Sequence, residues 1–385
     1  MTSCAHDSIK PFIVMDVLEK AMELERKGRS IIHLEIGEPD FHTPKRIVES
    51  GMEALRRGDT HYTDSRGIRE LRSAVASYQT GRYGIEFSAD RVMITMGTSP
   101  ALLLTLSVLI EQPGDEVILG NPYYPCYPNF IRYLNGTSRF VETLETDGFQ
   151  LKPDSVKKAI GARTKAILVN SPANPMGTIM PPEDLRSICA LGIPVVSDEI
   201  YHGLVYGEKE HSALEFTDEA FVLNGFSKLF AMTGWRLGYL IAPERYMRRL
   251  HILQQNFFIS PNSFVQRAGV TALTERHEEI EEMRSRYDAR RRFLLGELPG
   301  LGLHSAVEPK GAFYFFVNTS HIDGNSYRLA FDMLDKAGVA LTPGIDFGDR
   351  GEGHLRISYA NSLENIREGI RRLETYLRER GSSRP

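Results

Sequence analysis

Ala220-Phe221-Val222-Leu223-Asn224-Gly225-Phe226-Ser227-Lys228 runs from an apolar segment into a small polar cluster that ends on a lysine. Residues 220–224 are short, apolar and bounded by turn-forming residues, which predicts a strand. The pattern recurs upstream. Residues 91–96, 116–119, 165–170 and 194–197 are β-branched or apolar runs bounded by Gly, Pro, Asn or Asp, with helical patterns in several of the gaps. Strands alternating with helices predict a largely parallel sheet covered by helices. Pro100 opens a helix over 100–110, since proline suits the first helical position.

The character of the chain changes further on. Residues 274–298 are highly charged, yet Ile280, Met283, Tyr287 and Leu294 recur at helical spacing, which predicts a long, half-exposed helix leaving the main sheet. Residues 311–317 and 354–359 then read as strands. In the second, His354, Arg356 and Ser358 alternate with Leu355, Ile357 and Tyr359, so a sheet with one buried face is expected. The expected fold is α/β: a large domain over 46–284 with a mainly parallel central sheet flanked by helices, and a smaller α+β domain from the two chain ends, 1–45 and 285–385.

A length of 385 residues suits two such domains. A net charge of -4 with 25% charged residues offers no broad basic surface to nucleic acid, and no polybasic block adjoins an amphipathic stretch. Residues 1–10 carry His6, Asp7 and Lys10 without an apolar core, so no signal peptide is expected. The mostly apolar run 101–110 holds Thr105 and Ser107 and falls far short of a membrane span. Cys4, Cys126 and Cys189 show no CxxC spacing and cannot all pair, which fits a reducing cytoplasm and no metal cage; Cys126 and Cys189 read as small core residues. Neither GxGxxG after a strand nor GxxxxGK[ST] occurs, and HExxH and GxSxG are missing.

Open parallel sheets bind ligands outside the carboxyl ends of their strands. Gathered there are Gly97-Thr98-Ser99 after 91–96, Asn174-Pro175-Met176-Gly177-Thr178 after 165–170, Asp198 and Tyr201 after 194–197, and Ser227-Lys228 with Arg236 after 220–224. Four strand ends thus supply backbone donors at a helix start, an amide, a carboxylate with a phenol, and a lysine with an arginine. That set matches the needs of a phosphorylated pyridine aldehyde.

On these motifs, with Ile36-Gly37-Glu38-Pro39-Asp40 and Gly234-Trp235-Arg236-Leu237-Gly238-Tyr239, the chain resembles the class I, aspartate aminotransferase-like enzymes of pyridoxal-phosphate fold type I, from residue 36 to Arg356. The resemblance implies pyridoxal 5′-phosphate as cofactor. It also implies transfer of an amino group from an L-amino acid to a 2-oxo acid, 2-oxoglutarate foremost, by a ping-pong mechanism. Lys228 would anchor the cofactor covalently and act as general base, which needs a partly deprotonated amine in a low-dielectric pocket. Asp198 would pair with the pyridine nitrogen and keep the ring an electron sink. Asn174 and Tyr201 would bond the phenolic oxygen, and Tyr124 would stack on the ring, with Tyr123 as its rival. Gly97, Thr98, Ser99, Ser227 and Arg236 would hold the phosphate. Pro100 stands where the family often has glycine, which removes one amide donor. Arg356 would grip the substrate carboxylate as a bidentate pair, with Gly37 and Asn174 beside it. Tyr62 would reach across a two-fold interface to the partner's phosphate, implying a homodimer with shared sites. Each residue also has an ordinary role to set against this: a solvated lysine or arginine, an N-cap aspartate, a turn asparagine, a core or turn tyrosine.

Two other functions share the fold. A carbon–sulfur β-lyase uses the same cofactor residues, which do not discriminate. A pyridoxal-phosphate-sensing transcription regulator carries the fold behind a winged-helix domain; here the fold begins within the first few dozen residues, with no basic DNA-binding segment before it. Some aspartate aminotransferases bind the substrate's second carboxylate with an arginine from the partner subunit, and the region expected to hold it, 251–266, contains none. Aspartate, alanine, aromatic and branched-chain donors stay open.

Overall fold

The computed structural model describes residues 9–382; Cys4 and residues 1–8 of the segment read for a leader lie outside them. The first strand, β1 (Ile32–His33), follows helix α1 (Ile13–Arg26). A run of seven strands comes next: β2 (Val92–Thr95), β3 (Glu116–Asn121), β4 (Thr137–Glu142), β5 (Thr164–Asn170), β6 (Val195–Asp198), β7 (Ala220–Gly225) and β8 (Gly238–Ile241). They form one sheet in the order β2-β8-β7-β6-β5-β3-β4. Neighbours from β7 to β4 are parallel, while β8 runs antiparallel to both β2 and β7. The interior strands β6, β7 and β8 are buried along their whole length, as helices on both faces require.

The reversal of β8 matters for the site. Its first residue, Gly238, stands in register between Thr95 of β2 and Gly225 of β7. The segment that enters β8, with Arg236, therefore lies at the edge where β2, β5, β6 and β7 leave the sheet. Sequence reading placed Arg236 with Lys228 but did not resolve β8 as a reversed strand. It also passed over β4, an edge strand in which only Val141 is buried and no apolar run stands out.

A second layer comes from the chain ends. Strands β9 (Tyr314–Asn318), β11 (Thr342–Pro343) and β12 (His354–Ser358) form an antiparallel sheet in the order β11-β12-β9, and β10 (Val339–Ala340) pairs in parallel with β1. The N-terminal segment is tied to this layer. The Ser358 N–H donates to the Leu34 carbonyl at 2.7 Å, and Arg290 makes a two-pronged pair with Asp40 at 2.7 and 2.8 Å. Large mixed sheet and smaller terminal layer together give the α/β architecture expected.

Two local expectations need correction, and a third is met. The helix expected at Pro100 spans Thr98–Leu109, so the proline is its third residue. Its missing N–H belongs to the first turn, where an amide has no partner within the helix anyway. The charged helix spans Glu278–Glu297, with Met283, Tyr287 and Leu294 buried as expected. In β12 both faces are buried: His354, Arg356 and Ser358 are as enclosed as their apolar neighbours. The alternation correctly reported two faces, but the polar one looks into the protein.

Gly238 is where the strand ends crowd most. A Cβ there would lie 2.7 Å from the Gly97 carbonyl carbon and 3.0 Å from the Thr98 nitrogen, both backbone atoms that cannot rotate away. Gly238→Ala should therefore cost about 1–3 kcal/mol, seen as a lower urea midpoint with an unchanged slope.

Candidate active site

Between the carboxyl edge of the large sheet and the terminal layer lies a cleft of about 340 Å³. Thr98, Asp198 and Lys228 line it from the sheet, Arg356 and Tyr314 from the terminal layer, and Gly37 from the N-terminal segment.

Lys228 follows β7 directly and donates from Nζ to the Gly37 carbonyl at 2.6 Å. Desolvation pulls its amine down from 10.5 to about 8. Glu38 and Asp198 oppose the shift, while Arg356 and Arg236 add to it. At neutral pH a useful fraction is thus the neutral, nucleophilic form. Gly37 is required as glycine, because a Cβ there would fall 2.1 Å from the Tyr314 hydroxyl.

Asp198 ends β6 and is buried. Burial raises its pKa; the Tyr127 hydroxyl at 2.7 Å, the Ile200 N–H at 3.2 Å and the nearby Lys228 charge pull it back down. Tyr127 escaped the sequence reading. The available signal was its place on the helix Cys126–Tyr133 just after the tyrosine turn, since a buried phenol needs a partner. Tyr201 is buried with its hydroxyl 2.8 Å from that of Tyr314, a second residue not foreseen. Desolvation holds the Tyr201 phenol well above its ordinary pKa, so it stays a proton donor. His202 supports both loops. Burial lowers its pKa to about 4, leaving a neutral ring whose Nε2 lies 3.0 Å from the Ser171 carbonyl.

Arg356 donates to Asn174 Oδ1 at 2.9 Å, to Thr342 Oγ1 at 3.1 Å and to the Glu35 carbonyl. Its guanidinium lies 4.5 Å from the Tyr314 ring centroid, and its buried Nε has no hydrogen-bond partner. A guanidinium held this way retains a donor for an incoming anion. At the other end, Gly97 precedes the helix Thr98–Leu109 with φ 92° and leaves its first amides and the Thr98 and Ser99 side chains at the cleft. Arg236, in the left-handed region at φ 53°, lies so close that a Cβ on Gly97 would meet its guanidinium at 2.6 Å. Ser227 lines the same end.

Tyr124 lines the cleft, edge-on to Tyr127 with ring centroids 5.3 Å apart. Its rival Tyr123 turns away and stacks on Phe140 at 4.9 Å. Tyr62 is 81% exposed and does not line the cleft of its own chain. Cys126 is half-buried and Cys189 buried.

This donor set fits pyridoxal phosphate group by group. A helix N-terminus with Arg236 suits a phosphate, a buried carboxylate suits a pyridinium, a partly neutral lysine suits an aldehyde, and the spare Arg356 donor suits a substrate carboxylate. The lysine can be checked without any cofactor. In the protein freed of it, the reaction rate of Lys228 with a small amine-directed reagent should rise with pH through about 8 and then level off. Exposed lysines should keep rising towards their ordinary pKa of about 10.4. Peptide mass spectrometry across a pH series separates the two.

A family model described as aminotransferase class I and II matches residues 29–373. The chain is 44% identical over 375 residues to the (5-formylfuran-3-yl)methyl phosphate transaminase of Methanocaldococcus jannaschii, covering 96% of this chain and 98% of that protein. It is 39% identical to the aspartate/prephenate aminotransferase of Thermus thermophilus, covering 96% and 97%. Among solved structures, the aspartate aminotransferase of Thermus thermophilus with maleate superposes with a TM-score of 0.92 at 38% identity, covering 97% of this chain and 100% of that one. The chain belongs to the class I and II aminotransferases, transferases of nitrogenous groups built on pyridoxal-phosphate fold type I.

Proposed function

We propose that the protein moves the amino group of an L-amino acid to a 2-oxo acid, with 2-oxoglutarate as acceptor, in two ping-pong half-reactions. The observation that carries this reading is the meeting, in one cleft, of a lysine titrating near 8 with an arginine that keeps a free donor. Pyridoxal phosphate, when bound, supplies the electron sink that acidifies the α-hydrogen of the amino acid.

The remaining work belongs to the protein. Lys228 would hold the cofactor through its amine and would serve as the general base for the substrate α-proton. Tyr127 and the Ile200 N–H donate to Asp198 and favour its charged form, the form that would pair with a pyridine nitrogen, against the burial that raises its pKa. Tyr201 and Asn174 donate to the phenolic oxygen. Gly97, Thr98, Ser99, Ser227 and Arg236 bind the phosphate, with Tyr124 against the ring. Arg356 orients the substrate by its α-carboxylate, beside Gly37 and Asn174.

A second copy of the chain would complete the site. Tyr62 is exposed, as are Phe257 at 56% and Ile259 at 50%, and the Thr63 N–H donates to Ser260 Oγ at 3.4 Å, so these segments adjoin. Such a face suits a homodimer in which Tyr62 reaches the partner's phosphate. Within each copy, residues 46–284 would form one body, and 1–45 with 285–385 the other. No helix among the described residues is long and apolar enough to cross a membrane.

With pyridoxal phosphate, a donor amino acid and 2-oxoglutarate, the wild-type protein should form glutamate, measured by chromatography. Lys228→Ala should lose about 10²–10⁴-fold or more of the rate, the usual worth of a positioned general base. Release of pyruvate and ammonia from cystathionine without glutamate formation would point to the β-lyase instead.

A further inference from the structure

We infer that Asp346 is a positioning residue for substrate selection. Its carboxylate clamps the first turn of α1 and so fixes an apolar wall of Phe12 and Met15 for a bulky apolar donor side chain. The inference rests on the transfer reaction proposed above.

Helix α1 starts without a cap of its own, since no side-chain bond is made at Phe12. The first amides of a helix have no partner within it. Here Ile13 N–H donates to Asp346 Oδ1 at 2.9 Å and Val14 N–H to Oδ2 at 3.2 Å, across more than three hundred residues of sequence. Asp346 therefore does from a distance what an N-cap residue does locally. It sits in the turn Gly344–Phe347, which also touches the site on two other sides. The Phe347 carbonyl accepts the Tyr123 N–H at 2.9 Å, and the Phe347 ring lies 5.1 Å from the Arg356 guanidinium. One turn thus relates α1, the tyrosine segment and the carboxylate-binding arginine.

The clamped end of α1 faces the cleft. Phe12, Val14 and Met15 line it together with Ile36, and Phe12 meets Tyr124 edge-on at 5.9 Å. Glu38 lines the same cleft and would repel a second carboxylate. The cleft cations, Lys228, Arg236 and Arg356, already have duties at the cofactor and α-carboxylate positions. The wall therefore favours an apolar side chain, an aromatic one above all, over a dicarboxylate.

Burial raises the Asp346 carboxyl from 3.8 to about 6, against the pull of the two amides and of Arg356. Asp16 of α1, Cys126 and Tyr123 also face it. A folded pKa above the unfolded value means that overall stability falls as pH rises from about 4 to 6. Global stability is therefore no reason for a carboxylate at this place, whereas holding α1 is.

The test compares wild-type holoenzyme with Asp346→Ala and Asp346→Asn. Hydrogen exchange of the peptide covering residues 12–18 reads the clamp, and kcat/KM for phenylalanine and for alanine with 2-oxoglutarate reads selection. Asp346→Ala should lose protection at Ile13 and Val14. Its preference for phenylalanine over alanine should fall about tenfold, the scale of a lost helix cap, mainly through KM. Asp346→Asn keeps one acceptor oxygen, should recover part of both effects, and carries the comparison if the alanine variant does not fold. Unchanged protection overturns the clamp, and lost protection with an equal loss for both donors overturns its role in selection. Aspartate serves as a control donor: glutamate formed from aspartate alone overturns the selection and leaves the transfer reading standing, and glutamate formed from none of the three overturns both. The exchange result then still decides the clamp.

Discussion

An amine, two guanidinium groups and two carboxylates share one cleft, and the rest of the site follows from keeping that arrangement tolerable. Lys228 answers by giving up its proton more readily, since desolvation and two neighbouring arginines outweigh Glu38 and Asp198. Asp198 cannot answer in the same way if it is to serve a pyridine nitrogen. It is held towards the charged form by the Tyr127 hydroxyl and the Ile200 amide. Arg356 spends three of its five donors on fixed acceptors and keeps its Nε–H unpaired. The pattern is that of a preorganised polar environment, in which dipoles are oriented before the substrate arrives.

The fold makes this concentration feasible by bringing backbone unusually close. The ends of β2, β7 and β8 meet at Gly97, Gly225 and Gly238, where a methyl group on Gly238 would collide with main-chain atoms of the Gly97 loop. With β8 reversed, the segment carrying Arg236 arrives at the edge where Lys228 leaves. The opposite wall is assembled from distant sequence: Glu35 and Gly37 from the N-terminal segment, Arg356 and Thr342 from the C-terminal sheet, with Glu35, Thr342 and Arg356 joined by hydrogen bonds. Substrate would therefore be held between two layers joined by these polar contacts and by one apolar cluster that takes in Val169 and Tyr201 on one side and Tyr314 and Ile357 on the other.

What the sequence disclosed, and what it hid, has a physical pattern. Lys228, Asp198, Asn174 and the Gly97 loop were legible because each stands at or within about four residues of a strand's carboxyl end, so chain order alone predicts one edge of one sheet. Arg356 was legible through its alternating strand, although the polar face proved to be buried against the cleft and not solvated. Alternation reports which way a side chain points and not what lies there. Tyr127, Tyr314 and Asp346 were hidden because their roles depend on contacts across 71, 113 and 333 residues respectively. Tyr62 illustrates another limit: its expected role needs a second chain, and within one chain it is only an exposed tyrosine.

The central claim is that Lys228 is the one lysine whose surroundings make it the cofactor anchor. Incubating the protein with pyridoxal phosphate, trapping the adduct by reduction with borohydride and mapping it by peptide mass spectrometry tests this directly. The account predicts a stoichiometric phosphopyridoxyl group on Lys228 and none on the solvated lysines. Stoichiometric labelling of another lysine, or no labelling at all, would contradict it.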